Sequence, residues 1–120
     1  MAVRYFPAAR DDIRNALKWS AENFGEAACQ RYKELIGAVI AAIAAIVANP
    51  GLPHSYEVRG LQPGIRLYHL KHSRKQAAVE GQIVRKPRHF IAYMVMKGDT
   101  VIVGVLHERM EIARQPEEDL

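Results

Sequence analysis

With a single cysteine, Cys29, a chain of 120 residues has no internal disulfide and no thiolate metal cluster, so the expected compartment is the reducing cytoplasm. Cys29 falls inside a helical pattern and reads as a small packing residue, because catalytic use requires a polarising histidine beside it. The opening Met-Ala-Val-Arg-Tyr-Phe has no long apolar region ahead of a small-residue cleavage site, so no signal peptide is expected. Gly37 to Ala48 carries no charge, yet this run is shorter than the roughly 20 residues that span a bilayer, and its alanines are weakly hydrophobic. Internal repeats, nucleophilic triads and glycine-rich phosphate loops are missing too. What is present is ordinary for a folded domain: 49% hydrophobic and 25% charged residues in 13.5 kDa, enough for one core and one domain over residues 1–120.

Acidic residues are scarce in one region. From Arg59 to Arg88 eight basic side chains meet one acid, Glu80, a local +7 in a chain of net +4. This stretch opens with Arg59 to His72, where a helical first half gives way to a strand-rich second half. Gly60, Pro63 and Gly64 mark a tight turn. Alternation along the strand that follows is expected to place Arg66, Tyr68, Leu70 and His72 on one cationic and aromatic face. Such a face suits an anionic partner, although exposed Lys and Arg are also the usual solvated surface of a domain.

In chain order, Ala2 to Phe6 suits a first strand, and Pro7 introduces a helix whose first turn is expected to hold Asp11 and Asp12. Ile13, Ala16, Leu17 and Phe24 recur near a period of 3.6, and Gly25 is the expected stop. Trp19 lies off that stripe, either as a half-buried flank or as a partner contact. The second helix carries Tyr32, Leu35, Ile36, Val39, Ile40, Ile43, Ile46 and Val47 at steps of three and four and ends at Asn49-Pro50-Gly51. Its uncharged stretch is either buried on several sides or an apolar strip for another chain. Gly51 to Tyr56 reads as a loop, and Ser73 to Pro87 as a mobile basic loop or, alternatively, an overhanging hairpin built on Val79, Ile83 and Val84. His89 to Met96 and Thr100 to His107 flank Lys97-Gly98-Asp99, a hairpin signal, and the near-continuous apolar run from Phe90 places its strand centrally, covered on both faces. Glu108 to Leu120 reads as a short helix or arm, frayed over residues 115–120. The fold class is α+β: an N-terminal helical hairpin on a three- to four-stranded, mainly antiparallel sheet.

Five histidines raise the question of metal. On one strand His69 and His72 point to opposite faces, which opposes joint ligation. His107-Glu108-Arg109-Met110-Glu111 lacks the second histidine of a zinc protease helix, so no metal or other cofactor is expected. The remaining set is Arg59, Arg66, Tyr68, His72, Arg88, His89, Tyr93, His107 and Arg109. Groups of this kind can cleave RNA without metal, a base activating the 2′-hydroxyl while arginines stabilise the phosphorane; they can equally bind an acidic protein surface.

The order of elements resembles the ParE and RelE superfamily of toxins from bacterial toxin-antitoxin operons. The likeness rests on Pro7 to Asp12 entering a first helix, the Gly25-linked second helix, Gly64-Ile65-Arg66, Phe90 to Tyr93, and Val105-Leu106-His107-Glu108-Arg109. The Leu-His-x-Arg ending is similar to the ParE branch. That resemblance implies a basic toxin neutralised by an antitoxin wrapped around it; ParE-type toxins block DNA gyrase, whereas RelE-type toxins cleave messenger RNA on the ribosome. Places matching the RelE catalytic residues hold Arg66 and Tyr68, then Phe90, with no tyrosine after Tyr93, so the nuclease set is incomplete. The expected target-binding residues are Arg59, Arg66, Tyr68, Arg88, His107 and Arg109, with antitoxin contacts at Trp19, Ile36, Ile40 and Ile43. In the RelE-like alternative, Arg66, Tyr68, Arg88, His107 and Arg109 are the catalytic candidates.

Overall fold

A computed structural model describes residues 2–57 and 63–109. Arg59, Gly60 and the tail at residues 115–120, all named above, lie outside the described residues. Two helices, α1 (Pro7–Phe24) and α2 (Glu26–Ala48), pack on one five-stranded sheet. The strands are β1 (Val3–Tyr5), β2 (Tyr56–Glu57), β3 (Arg66–His69), β4 (His89–Met96) and β5 (Asp99–His107), in spatial order β1-β5-β4-β3-β2. This is the α+β arrangement expected, with a wider sheet: β1 adds parallel to β5, and two-residue β2 extends the opposite edge inside what reads locally as a loop.

The helical hairpin forms for local reasons. Pro7 occupies the first turn of α1, where its missing N–H leaves no bond unmade. Gly25, at φ 90°, closes α1 by donating its N–H to the Ala21 carbonyl at 2.9 Å and immediately precedes α2, so one residue turns the chain. Along α2 the buried positions Tyr32, Leu35, Ile36, Val39, Ile43 and Ile46 form the stripe facing the sheet. Each such burial contributes roughly 1.5–3 kcal/mol. The opposite face exposes Gly37, Ala41 and Ala45. The absence of charge from Gly37 to Ala48 therefore has two causes, a buried aliphatic stripe and a surface of small residues.

On α1 the stripe differs from the periodic reading. Ala9, Ala16 and Ser20 are buried, whereas Phe24 is exposed and rests edge-on against Trp19 at 5.5 Å. A small Ser20 replaces a large apolar side chain where α1 runs along α2. Asp11 and Asp12 also fall beyond the first turn, because the helix begins four residues earlier at Pro7. Asp12 instead ties α1 to the sheet, its Oδ2 accepting the Val105 N–H at 3.0 Å beside the irregularity in the β4–β5 register at Ala92/Tyr93.

β4 lies in the middle of the sheet, as its apolar run requires, with Ile91 and Tyr93 in the helix-facing core and Ala92 buried on the other side. The turn to β5 is two residues, Lys97 and Gly98, with φ 53° and 82°, the positive pair that a twisted hairpin demands. β3 ends sooner than alternation implies. After His69 the chain enters a 3-10 helix, Leu70–Ala77, whose Leu70, Ser73 and Ala77 are buried against the rest of the fold. His69 caps it by accepting the Lys71 N–H on Nδ1 at 3.0 Å. The expected mobile loop is thus helical over its first third, residues 73–77, and its remainder carries a bridge, Val79 to Gln82, around Glu80 and Gly81. Among the described residues no helix is long and apolar enough to cross a membrane.

Candidate functional site

Two groups of polar side chains stand out, at separate places on the sheet. The first lies where β4 begins and β5 ends. Strand register sets His89 opposite His107, and Glu108 donates its N–H to the Arg88 carbonyl at 2.9 Å, extending the ladder by one bond. The Arg88 guanidinium lies 3.4 Å from one oxygen of Glu108, and the other oxygen lies 3.8 Å from Nε2 of buried His69. Burial pulls His69 below its ordinary pKa, against the upward pull of Glu108. Arg109 is exposed beside this pair and donates its N–H to His107 Nδ1 at 3.1 Å.

Behind these residues sits an aromatic cluster contributed by three elements. The Trp19 ring lies 5.2 Å from His89 and 5.8 Å from His107, the two imidazoles are 5.1 Å apart, and all three contacts are edge-to-face. Tyr32 closes the back. Its hydroxyl accepts the Arg88 N–H at 3.0 Å and meets His89 Nδ1 at 2.6 Å. Burial pushes Tyr32 up to about 12 and holds His89 down at about 4, the latter helped by the neighbouring charge of His107. With its oxygen accepting the Arg88 N–H, the Tyr32 hydroxyl has its own proton to place, and His89 Nδ1 is its one partner among the described residues, in the tautomer that leaves Nδ1 bare. A cleft of about 200 Å³ opens here, lined by Trp19, His89, His107, Asp12 and Asn15, with Ala16 and Val105 as its apolar floor.

The second group lies about 13 Å along β4, at four residues of roughly 3.3 Å each. Arg66 pairs across the strands with Tyr93. Its Nε donates to Ser55 Oγ at 2.7 Å, an Nη donates to the Ser55 carbonyl at 2.8 Å, and the other Nη lies 3.6 Å from Glu57. Ser55 Oγ also bonds the Tyr93 hydroxyl. Arg66 thus fastens the loop before β2 to the sheet while keeping 38% of its side chain exposed. Nearby His54, at φ 86°, stacks on His72 at 4.0 Å with rings 9° from parallel, and burial next to His54 lowers His72 to about 4.

The expected site residues therefore separate. Arg88, His107 and Arg109 come together at one end of the hairpin. Arg66 stands apart. Tyr68 is corrected outright as a surface group: only 3% exposed, it packs in the core with its hydroxyl on buried Ser73 at 2.8 Å, because β3 pairs it with core Ile91 and the 3-10 helix brings Ser73 over it. The shared face of Arg66, Tyr68, Leu70 and His72 does not exist, since Leu70 and His72 belong to that helix. Ile36 and Ile43 are buried against the sheet, so of the expected antitoxin contacts only half-buried Trp19 and Ile40 reach the surface. Ser55, Asp12 and Tyr32 build these sites without any local signal; nothing in the neighbouring sequence distinguishes a loop serine, a helix aspartate or a core tyrosine that acts through partners 11 to 93 positions away. Among the described residues, no three His, Cys, Asp or Glu side chains are grouped to hold a metal ion.

The same architecture occurs in a solved structure. A chain of the chromosomal ParDE toxin-antitoxin system from Pseudomonas aeruginosa superposes with a TM-score of 0.55 at 14% identity, covering 89% of this chain and 95% of that one. A conserved hypothetical protein of Helicobacter pylori, solved in solution, gives 0.44 at 10% identity, covering 91% and 96%. No curated protein sequence matches. The profile described as ParE toxin of type II toxin-antitoxin system, parDE, matches residues 3–112. With helical hairpin, sheet and matched span in agreement, the chain belongs to the ParE toxin family of type II toxin-antitoxin systems.

Proposed function

We propose that this protein inhibits growth in the cytoplasm by binding DNA gyrase, and that a cognate antitoxin neutralises it. The observation that carries this reading is the fate of the groups that RNA cleavage would need. Tyr68 has its hydroxyl bonded inside the core, and Arg66 is committed to Ser55 and Glu57 some distance from Arg88, His107 and Arg109. Of the RNA-cleavage candidates only Arg88, His107 and Arg109 come together, beside Glu108, and with Arg66 and Tyr68 elsewhere the exposed Arg88 and Arg109 form a small recognition surface on the hairpin. Arg66 contributes through its exposed portion, and antitoxin contacts fall at Trp19 and Ile40.

Purified gyrase supercoiling, run beside translation of a defined message, tests this. Inhibited supercoiling with intact message is expected. Cut message with unaffected gyrase would replace the proposal by the ribosome-dependent nuclease.

A further inference from the structure

We propose that the cleft between α1 and the His89/His107 end of the hairpin is a binding pocket for a phenol group, the side chain of a tyrosine presented by a protein partner. This pocket is independent of which target the toxin inhibits.

The first argument is an unmatched donor. His89 is 6% exposed, and its Nδ1 is occupied by the Tyr32 hydroxyl, whose oxygen already accepts the Arg88 N–H. With the Tyr32 hydroxyl as donor the ring proton resides on Nε2, which has no acceptor among the described residues. His107 repeats the pattern, because its Nδ1 accepts the Arg109 N–H and leaves Nε2 as its donor. Trp19 Nε1–H likewise has no acceptor among the described residues. Native interiors rarely leave a buried N–H unpaired, at a cost of roughly 1–3 kcal/mol, and it is buried His89 that bears this cost, while half-buried His107 and Trp19 line the same cleft beside it. The group that belongs there accepts hydrogen bonds.

Charge and size narrow its identity. Around the cleft Asp12 and Glu108 balance Arg88 and Arg109, so there is no excess of positive charge to hold an anion, and a carboxylate would face Asp12. The ligand group is neutral. Ala16, Val105 and the face of Trp19 supply an apolar lining, and about 200 Å³ exceeds the cavity of roughly 150 Å³ that holds a benzene ring. A phenol meets every condition: an aromatic body, an oxygen that accepts from imidazole N–H, and a proton to give to Asn15 or to the Asp12 oxygen not engaged by Val105. The cleft opens at the surface, so a tyrosine can enter while its backbone stays outside.

Trp19 is the one tryptophan of the chain and reports on its own pocket. The full-length protein is titrated near neutral pH with p-cresol, N-acetyl-tyrosinamide, toluene and acetate, with indole fluorescence as the readout. Saturable changes are expected with p-cresol and N-acetyl-tyrosinamide, each binding about tenfold more tightly than toluene, the factor expected for one recovered hydrogen bond. His107→Phe, which keeps a ring and removes the N–H, should weaken p-cresol and leave toluene unchanged. Asn15→Leu, at an exposed helical position on the rim, should narrow the pocket and weaken both without affecting folding. Equal affinity for toluene and p-cresol, tighter binding of acetate, or no saturable signal would overturn the pocket. Binding of p-cresol without N-acetyl-tyrosinamide would overturn its assignment to a peptide tyrosine.

Discussion

Asp12 and Gly104 show how closely α1 is seated on the sheet. A methyl group placed on Gly104 would come within 2.9 Å of Asp12 Oδ2, the atom that holds the Val105 N–H. Gly104→Ala is therefore expected to cost about 1–3 kcal/mol in urea unfolding, and Asp12→Ala about the same through its lost bond. The double variant should cost less than the sum of the two, since the clash and the bond share one oxygen. Tyr32→Phe leaves both the Arg88 N–H and His89 Nδ1 unpaired and should lose about 1–3 kcal/mol. His89 also makes stability depend on pH. Its folded pKa of about 4 lies below the ordinary 6.5, so the unfolded chain holds the extra proton between these values. Its contribution is complete above pH 6.5 and falls as pH drops toward 4, by about 2 kcal/mol at pH 5, with His72 acting in the same direction. Urea midpoints compared near pH 7.5 and 5 check this; equal midpoints would contradict it. None of these pairings is written in the local sequence around either partner.

At the level of elements, what was legible follows how local each signal is. Gly25 and Lys97-Gly98 specify backbone conformations by themselves, so the turn between helices and the β4–β5 hairpin could be placed from the residues alone, whereas the first turn of α1 starts at Pro7, ahead of the acids expected in it. Gly98→Ala, at φ 82°, should cost about 1 kcal/mol in thermal unfolding. β3 is the opposite case. Its alternation Arg66, Tyr68, Leu70, His72 looks like a longer strand, yet from Leu70 the chain turns into a 3-10 helix that buries Leu70, Ser73 and Ala77. That ending changes the role of Arg66. Arg66→Ala should lower stability by about 1–2 kcal/mol through the lost Ser55 bonds, and Arg66→Lys should recover only part of it, because an ammonium cannot reproduce the guanidinium fork. An unchanged melting temperature for Arg66→Ala would remove its structural role.

For the molecule as a whole, a net charge of +4 and pI ≈ 9.4 set the sign of the preferred partner surface, and tertiary structure chooses which cations present it. Arg88→Ala and Arg109→Ala should each change stability by less than about 1 kcal/mol, since the Arg88 ion pair is half exposed, while abolishing growth inhibition. Melting curves set beside a growth assay separate the two effects. From sequence alone came the class of fold, the order of its elements, the central position of β4 and the likeness to ParE toxins. The first three follow from periodicity and turn chemistry, which act over a few residues, whereas the likeness is a resemblance resting on motif residues such as Leu106-His107-Glu108-Arg109. Only the tertiary structure decided that β1 joins β5 in parallel, that Ser20 rather than Phe24 is buried, that Tyr68 is a core residue, and that Trp19, Tyr32, His89 and His107 share one cleft. These outcomes depend on packing between segments up to about a hundred positions apart, where burial and hydrogen-bond satisfaction across elements outweigh any local preference.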